Sequence, residues 1–247
     1  MRPAMKDPFR QRQSSQAGFT LIEILISMII MTIVTTMLVG IWIVLLHTSA
    51  FARADNTASA TGRDSLDRVT AEIRAAQPNP SATPAAATPF VLTLTAPNVC
   101  DAYDCTFYSA YNSTGIGADG VSASPGTGTG ALRLTSIWLD QSGTAQQKKL
   151  MWTRDTNGNH VIDANDKSFV LANNVVNTAL SPVRPIFTYV FRDKTGAYTT
   201  ATSPTSANVA TLVAVNIELV IDANLADKPT YVDFVSTVRP RNVAGSN

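Results

Sequence analysis

Two histidines, His47 and His160, are the only side chains of this sequence whose ordinary pKa lies near neutral pH. His47 directly follows a long apolar run, and His160 lies in a segment rich in Asn, Asp and Gly. The sequence also lacks a Gly-x-Ser-x-Gly elbow, which presents the nucleophilic serine in many hydrolases. A catalytic triad would therefore have no base, and we predict that the protein is not an enzyme.

A glycine-rich stretch at residues 115–120 has the spacing of the dinucleotide-binding fingerprint, with Gly115, Gly117 and Gly120 in the three glycine positions. That fingerprint requires a preceding strand and a following helix. The residues that follow, 121–130, are mostly Ser, Thr, Pro and Gly, which cannot start a helix. We therefore predict a solvent-exposed loop here and no nucleotide site.

Residues 155–166 carry oxygen donors at the spacing of the calcium ligands in an EF-hand loop. The predicted Ca²⁺ ligands are Asp155, Asn157, Asn159, the backbone carbonyl of Val161, Asp163 and Asp166. The segment resembles the dockerin version of this loop, in which an acidic residue closes the site and a hydrophobic residue, here Ile162, follows the backbone ligand. It departs from that family at His160, where a glycine normally makes a sharp turn, and Gly158 lies too early to replace it.

An ordinary hairpin turn is the alternative for residues 155–166. Asn-Gly pairs and clusters of Asn and Asp mark such turns without any metal. If calcium binds, it would stiffen the loop between the strand of Trp152 and the segment of Phe169. The role would be structural, and no open catalytic position is implied.

Cys100 and Cys105 are the only cysteines of the sequence. Their spacing suits a small disulfide loop in an exported protein, and there are no further thiols for a four-cysteine metal site. We therefore expect a disulfide between them. Because the ring is small, its restriction of the unfolded chain would stabilise the fold by only about 2 kcal/mol. Its role would therefore be to shape a local loop.

An apolar run without a charged residue extends from Ile24 to Leu46, and about 20 such residues cross a bilayer as a helix. Residues 1–18, which precede the run, contain the cations Arg2, Lys6, Arg10 and Arg12 against a single acid, Asp7. The run is longer than the apolar core of a secretory signal peptide, roughly 7 to 15 residues, and no Ala-x-Ala site follows it directly. By the positive-inside rule, we predict a single-pass membrane protein with a cytoplasmic N-terminus and a C-terminal head outside the cytoplasm.

The hexapeptide Gly18-Phe19-Thr20-Leu21-Ile22-Glu23 lies where the basic leader meets the apolar run. In this position it closely resembles the class III signal of type IV pilins and type II secretion pseudopilins. The resemblance implies that a prepilin peptidase cleaves after Gly18 and that the new N-terminus, Phe19, is N-methylated. The chain would be a substrate of that enzyme, and its other partners would be the membrane and further pilins or pseudopilins.

Glu23 is a carboxylate at the edge of an apolar helix, which costs up to roughly 2.5 to 3.5 kcal/mol unless it is neutralised. The resemblance implies a partner for it in the filament, namely the N-terminal amine of Phe19 in a neighbouring subunit, a charge-assisted contact that sets the axial register. The alternative is a side chain that merely reaches back to water. Gly40 stands where many major pilins carry a helix-breaking proline, and it lowers helix propensity by about 1 kcal/mol relative to Ala.

After the apolar run the sequence turns polar but keeps an apolar stripe at helical spacing. The stripe consists of Ala58, Gly62, Leu66, Val69, Ile73 and Ala76. One helix is therefore predicted from Phe19 to Gln77, with Pro78 and Pro80 as its stop. The resulting division is a cleaved leader at 1–18, a transmembrane helix at 19–46, its amphipathic continuation at 47–77 and a β-rich globular head at 78–247.

Segments rich in β-branched and aromatic residues follow the helix. They lie at 90–95, 131–139, 148–154, 186–192, 211–222 and 230–238. A long helix followed only by short strands predicts an α+β fold, with an antiparallel sheet packed against the amphipathic half of the helix, as in a pilin head. The layout of residues 175–196 and 238–242 is also similar, more weakly, to the PilW and PulJ group of minor pilins and pseudopilins.

The net charge is +1, which indicates no polyanion-binding surface. The resemblance implies a structural subunit, a minor pilin or pseudopilin that assembles into a type IV pilus or a type II secretion pseudopilus. The alternative is a filament-tip binding module for DNA, a surface or a secreted substrate, with a weak basic patch for DNA at Arg239, Arg241, Lys148 and Lys149. No nucleic-acid or small-molecule ligand is clearly indicated, and structural Ca²⁺ is the one cofactor that we expect.

Overall fold

The computed structural model describes residues 19–78, 88–92, 99–109, 132–156, 161–224 and 230–240. The leader predicted at residues 1–18 lies outside the described residues. The chain divides into two compact units, Met1–Ala50 and Phe51–Asn247.

Helix α1 spans Leu21–Arg74, so the predicted long helix is confirmed with slightly narrower bounds. The helix ends where the backbone begins to pair with another part of the head. Ala76 forms an isolated bridge with Ser109, and the backbone N–H of Gln77 donates to the carbonyl oxygen of Tyr108 at 2.9 Å. The chain therefore leaves the helix by pairing with a strand, just before the first proline.

The second unit contains a curled antiparallel sheet. Its strands are β1 (Cys105–Ser109), β2 (Arg133–Asp140), β3 (Lys148–Arg154), β4 (Lys167–Val175), β5 (Phe187–Arg192), β6 (Tyr198–Ala201), β7 (Leu212–Asp222) and β8 (Tyr231–Val238). They pair in the order β1-β2-β3-β4-β7-β5-β6, and β8 pairs with β7 outside this path. Because β7 pairs with β4, β5 and β8, it joins the parts of the sheet.

The predicted strands at 131–139, 148–154, 186–192, 211–222 and 230–238 are confirmed with small shifts of their ends. The strand predicted at 90–95 is wrong in its described part, residues 90–92, because Phe90 forms only an isolated bridge with Phe107. The sequence patterns do not predict β1, β4 or β6.

The C-terminal half of α1 packs against the sheet and completes an α+β, pilin-like fold. Val69 and Ile73 of α1 lie in one apolar core with the alternating β7 residues Val215, Ile217, Leu219 and Ile221. Val213, which the sequence pattern places on the same face, is half-buried and lies outside this core. The register of the pairing between β5 and β7 shifts between Val190 and Phe191 of β5. Val213 lies opposite this shift and is the extra residue of a bulge in β7.

Candidate assembly site

Helix α1 begins with reciprocal hydrogen bonds between Thr20 and Glu23. The backbone N–H of Glu23 donates to Thr20 Oγ1 at 3.3 Å, and Glu23 Oε2 accepts from the backbone N–H and the hydroxyl of Thr20, both at 3.2 Å. This arrangement is a capping box, which satisfies N–H groups that have no acceptor within the helix. An N-cap of this kind stabilises a helix by about 1 kcal/mol.

The capping box turns the Glu23 carboxylate back toward the start of α1. A negative charge in the first turn is favoured there by the helix dipole. Phe19, the residue that would become the mature N-terminus, is 81% exposed at the same end of the helix. The geometry therefore leaves both predicted assembly residues accessible, while the pairing of Glu23 with a neighbouring subunit stays a prediction.

The apolar half of α1 is exposed along its length. Among the described residues, α1 is the one helix long and apolar enough to cross a membrane. The hydroxyls of Ser27, Thr32, Thr35 and Thr36 each donate to the carbonyl oxygen four residues earlier, at 2.7 to 2.8 Å. The helix runs unbroken through Gly40, where an added Cβ would meet nothing within 4 Å in this chain.

A buried ionic cluster fixes the C-terminal part of α1 to the sheet. Glu72 is fully buried, and both of its carboxylate oxygens accept from Arg154 of β3, at 3.0 and 3.1 Å. Ser109 of β1 donates to Oε2 at 2.9 Å, and Arg68 lies 3.4 Å from Oε1. Burial raises the pKa of Glu72, and the positive charges of Arg154 and Arg68 oppose that shift.

Trp152 of β3 extends the same cluster. The guanidinium carbons of Arg68 and Arg154 lie 4.6 and 5.1 Å from the centroid of its ring. Phe169 of β4 packs beside the indole, with ring centroids 5.4 Å apart. Contacts of cations with an aromatic face are stabilising, so the tryptophan holds both arginines near Glu72.

Two further contacts set the position of α1 on the sheet. The ring of Phe234 in β8 lies against Gly62, so closely that a Cβ at this position would collide with Cε2 of the ring. The hydroxyl of Ser65 donates to the carbonyl oxygen of Leu171 in β4 at 2.6 Å. Helix α1 therefore contacts two strands, β4 and β8, that are not neighbours in the sheet.

Residues 155–166, the predicted calcium loop, connect β3 and β4. Asn157, Asn159 and His160 lie outside the described residues. Asp155 is 1% exposed. Among the described residues, no group of three or more His, Cys, Asp and Glu side chains is arranged to hold a metal ion.

Asp166 organises the described part of this loop. Its Oδ1 accepts from the backbone N–H of Thr156 at 2.7 Å, and its Oδ2 accepts from the backbone N–H of Asp163 at 3.0 Å. Asp163 in turn accepts from the backbone N–H of Asn165 at 2.8 Å. Such bonds also occur in ordinary Asx turns, so the calcium site with its ligand Val161 stays a prediction.

Cys100 and Cys105 lie side by side in the core. Both are thiols in the structure, and their sulfur atoms are 3.8 Å apart. The structure thus brings the predicted pair together, and the covalent bond between them stays a prediction.

Three residues with a structural role are not predicted from the sequence, namely Thr20, which caps α1, Glu72 of α1 and Arg154 of β3. The capping role of Thr20 could have been predicted, because Thr-x-x-Glu before an apolar run is the signature of a capping box. The sequence also indicates that Glu72 is buried, because it falls on the same helical face as Val69 and Ile73. A charge in that position needs a partner. That partner, Arg154, lies 82 residues further along the chain, and no local pattern identifies it.

Comparison with curated proteins finds no match to this chain. Its N-terminal segment does match a family model, over residues 13–39, which include the hexapeptide and the first part of α1. The model describes the prokaryotic N-terminal methylation motif, so this chain carries the N-terminal motif of prepilin-type proteins.

Proposed function

We propose that this chain is a minor pilin or pseudopilin, a structural subunit that assembles into a type IV pilus or a type II secretion pseudopilus after cleavage by a prepilin peptidase. The observation that carries the proposal is the place of the matched motif, at residues 13–39, directly at the start of α1. Cleavage after Gly18 would make Phe19 the N-terminal residue, directly before Thr20 and the capping box.

The mechanism of such a subunit is assembly rather than catalysis. Before assembly, the apolar half of α1 would anchor the chain in the membrane, with the head outside the cytoplasm. In a filament, the same half would pack among the helices of neighbouring subunits. The Glu23 carboxylate would then leave water and pair with the N-terminal amine of a neighbour, because an unpaired charge in apolar surroundings is costly.

The finer assignment to the minor subunits is supported by the weak similarity to the PilW and PulJ group. The tip-binding alternative depends on Arg239, Arg241, Lys148 and Lys149, of which Arg241 lies outside the described residues. No feature of the described residues favours that alternative over a structural role.

The test separates the charge of Glu23 from its role in the helix cap. Glutamine also serves in capping boxes, so Glu23→Gln keeps the acceptor for Thr20 and removes the charge. In a host with the complete filament machinery, we expect normal membrane insertion and cleavage but at least about a tenfold loss of the variant from sheared filaments, equivalent to a contact of about 1.4 kcal/mol or more.

Asp64→Ala is the matched control, because Asp64 is an exposed carboxylate on the same helix. It should leave the filament fraction unchanged. Wild-type incorporation of Glu23→Gln would reject the assembly role of the charge. If the wild-type N-terminus, read by mass spectrometry, does not begin at a methylated Phe19, the proposed processing is wrong.

A further inference from the structure

The two cysteines are enclosed by the folded head. Cys100 is 1% exposed and Cys105 is fully buried. The Cys100 sulfur lies 3.8 Å from that of Cys105 and 3.1 Å from the carbonyl oxygen of Thr106. Tyr189 of β5, also fully buried, reaches over the same loop with its hydroxyl 3.4 Å from the carbonyl oxygen of Asp104.

The loop between the cysteines is ordered without a covalent bond. Oδ1 of Asp101 accepts from the backbone N–H groups of Tyr103 and Asp104, at 2.7 and 2.8 Å. The carbonyl oxygen of Ala102 accepts from the backbone N–H groups of Ile186 and Phe187, at 2.8 and 3.0 Å. Folding therefore brings the two thiols together and covers them, without a covalent bond between them.

Disulfide exchange requires two conditions, and the folded head opposes both of them at Cys105. The attacking group must be a thiolate, and the oxidant must reach the sulfur atom. Burial raises the pKa of the Cys105 thiol well above its ordinary value, and the neighbouring Cys100 raises it further. Since the loop is also covered by β5, exchange in the folded head has to wait until the head opens.

We propose that Cys100 and Cys105 form their disulfide while the head is unfolded or still folding, and that closure of the sheet over them then fixes their redox state. In the first step a thiolate of the pair attacks a disulfide oxidant, releases one thiol and forms a mixed disulfide. The second cysteine, as thiolate, then displaces the oxidant's other sulfur. Two protons and two electrons leave the pair, and the oxidant is reduced to two thiols.

The availability of an oxidant depends on the proposed export of the head, because disulfides form outside the cytoplasm. The protection of the folded pair does not depend on export. The two parts therefore need separate measurements, and neither involves filament incorporation, by which the proposed function is tested.

The first measurement is the rate of oxidation. The full chain, prepared in detergent with reductant, is freed of reductant and exposed to glutathione disulfide, either folded or in concentrated urea. Samples are quenched with acid, and the remaining thiols are counted by their reaction with a maleimide polymer. We expect oxidation to be at least about 100-fold slower in the folded chain, since the pair must wait for opening of the head.

The control for this rate is an exposed thiol in the same molecule. Ser142 is exposed, so Ser142→Cys, combined with Cys100→Ser and Cys105→Ser, should lose its thiol at similar rates with and without urea. Free cysteine in the same solutions gives the same correction if this variant does not fold. Comparable rates for the native pair in the folded and unfolded chain would overturn the proposal.

The second measurement is the redox state in the cell. Chains isolated under acid and unfolded in denaturant should show no free thiol until a reductant is added. Free Cys100 and Cys105 in mature chains, whose leader has been cleaved, would overturn the proposed order of oxidation and folding.

Discussion

Asp104 shows how burial acts on one carboxylate of this head. The residue is 7% exposed, and its Oδ1 accepts from the backbone N–H of Leu139 at 3.2 Å. Burial, followed by the negative charge of Asp101, raises the pKa of Asp104 from 3.8 to about 6. The folded chain therefore holds this proton at pH values where the unfolded chain has released it.

The consequence is a loss of stability as the pH rises through this range. Between about pH 4 and 6 the folded state binds more protons than the unfolded state, so the free energy of unfolding falls with rising pH. Asp104→Asn keeps an acceptor for Leu139 and removes the titration. We expect this variant to gain about 2 kcal/mol relative to wild type between pH 4 and pH 7.

Urea unfolding of the full chain in detergent, followed by tryptophan fluorescence, measures this difference. The comparison of the two proteins at each pH cancels the contribution of Glu72, whose raised pKa has the same sign. A difference that does not change with pH would show that Asp104 titrates as it does in the unfolded chain.

Between elements, α1 lies close against the sheet at Gly62. Glycine in the middle of a helix normally costs about 1 kcal/mol relative to alanine, so its presence calls for a packing reason. The reason is the ring of Phe234 in β8, which occupies the space that a side chain at this position would need. The glycine thus lets the backbone of α1 lie directly on an aromatic ring.

Gly62→Ala should therefore destabilise the head, although alanine is the better helix former. We expect a loss of about 1 to 3 kcal/mol from overpacking, measured by urea unfolding. Phe234→Leu should relieve the collision, so the double variant should lose less than the sum of the two single losses. Asn56→Ala, at an exposed position of the same helix, should stay within about 0.5 kcal/mol of wild type. A stabilising Gly62→Ala would contradict the close contact.

At the scale of the whole head, the Glu72 cluster joins α1 to β1 and β3. Breaking a buried ion pair on one side leaves an uncompensated charge in the core, which costs about 3 to 5 kcal/mol. We expect this loss for Glu72→Leu, because Arg154 would remain buried beside an apolar side chain. The double variant Glu72→Leu with Arg154→Met should be much less destabilised, since neither charge remains.

Arg68→Met is the matched control for this cycle. Arg68 also approaches Glu72, but its side chain is 21% exposed and can reach water, so we expect a loss within about 1 kcal/mol. All variants are compared by urea unfolding. Equal and additive losses for Glu72 and Arg154 would mean that the two side chains contribute independently.

The predictable parts of this molecule are those encoded by neighbouring residues. The long helix follows from its apolar run and stripe, and β7 follows from an alternation that spans most of its length. In contrast, β1 is a short strand behind a cysteine loop. β4 has consecutive apolar residues at Phe169–Leu171 and then Asn174 at positive φ, so it lacks a regular alternation.

The candidate site divides in the same way. The hexapeptide that begins at Gly18 is contiguous, so its resemblance to a prepilin signal can be recognised from the sequence alone. The match to the family model confirms this N-terminal motif. The Glu72 cluster instead joins side chains from three elements, and only the folded sheet brings Ser109 and Arg154 to the helix. Sequence periodicity shows which side of a helix is buried but not which distant residue meets it.

The hydroxyl groups of the apolar half of α1 have a consequence for its change of surroundings. Because Ser27, Thr32, Thr35 and Thr36 donate to carbonyl oxygens of the same helix, none of them requires water, lipid headgroups or another subunit as an acceptor. If the helix passes from a bilayer into a bundle of helices, these bonds can stay intact throughout. The side-chain hydrogen bonds then add little to the barrier for extraction. The groups whose solvation changes most are the charges that pair in the proposed filament, the Glu23 carboxylate and the N-terminal amine of Phe19.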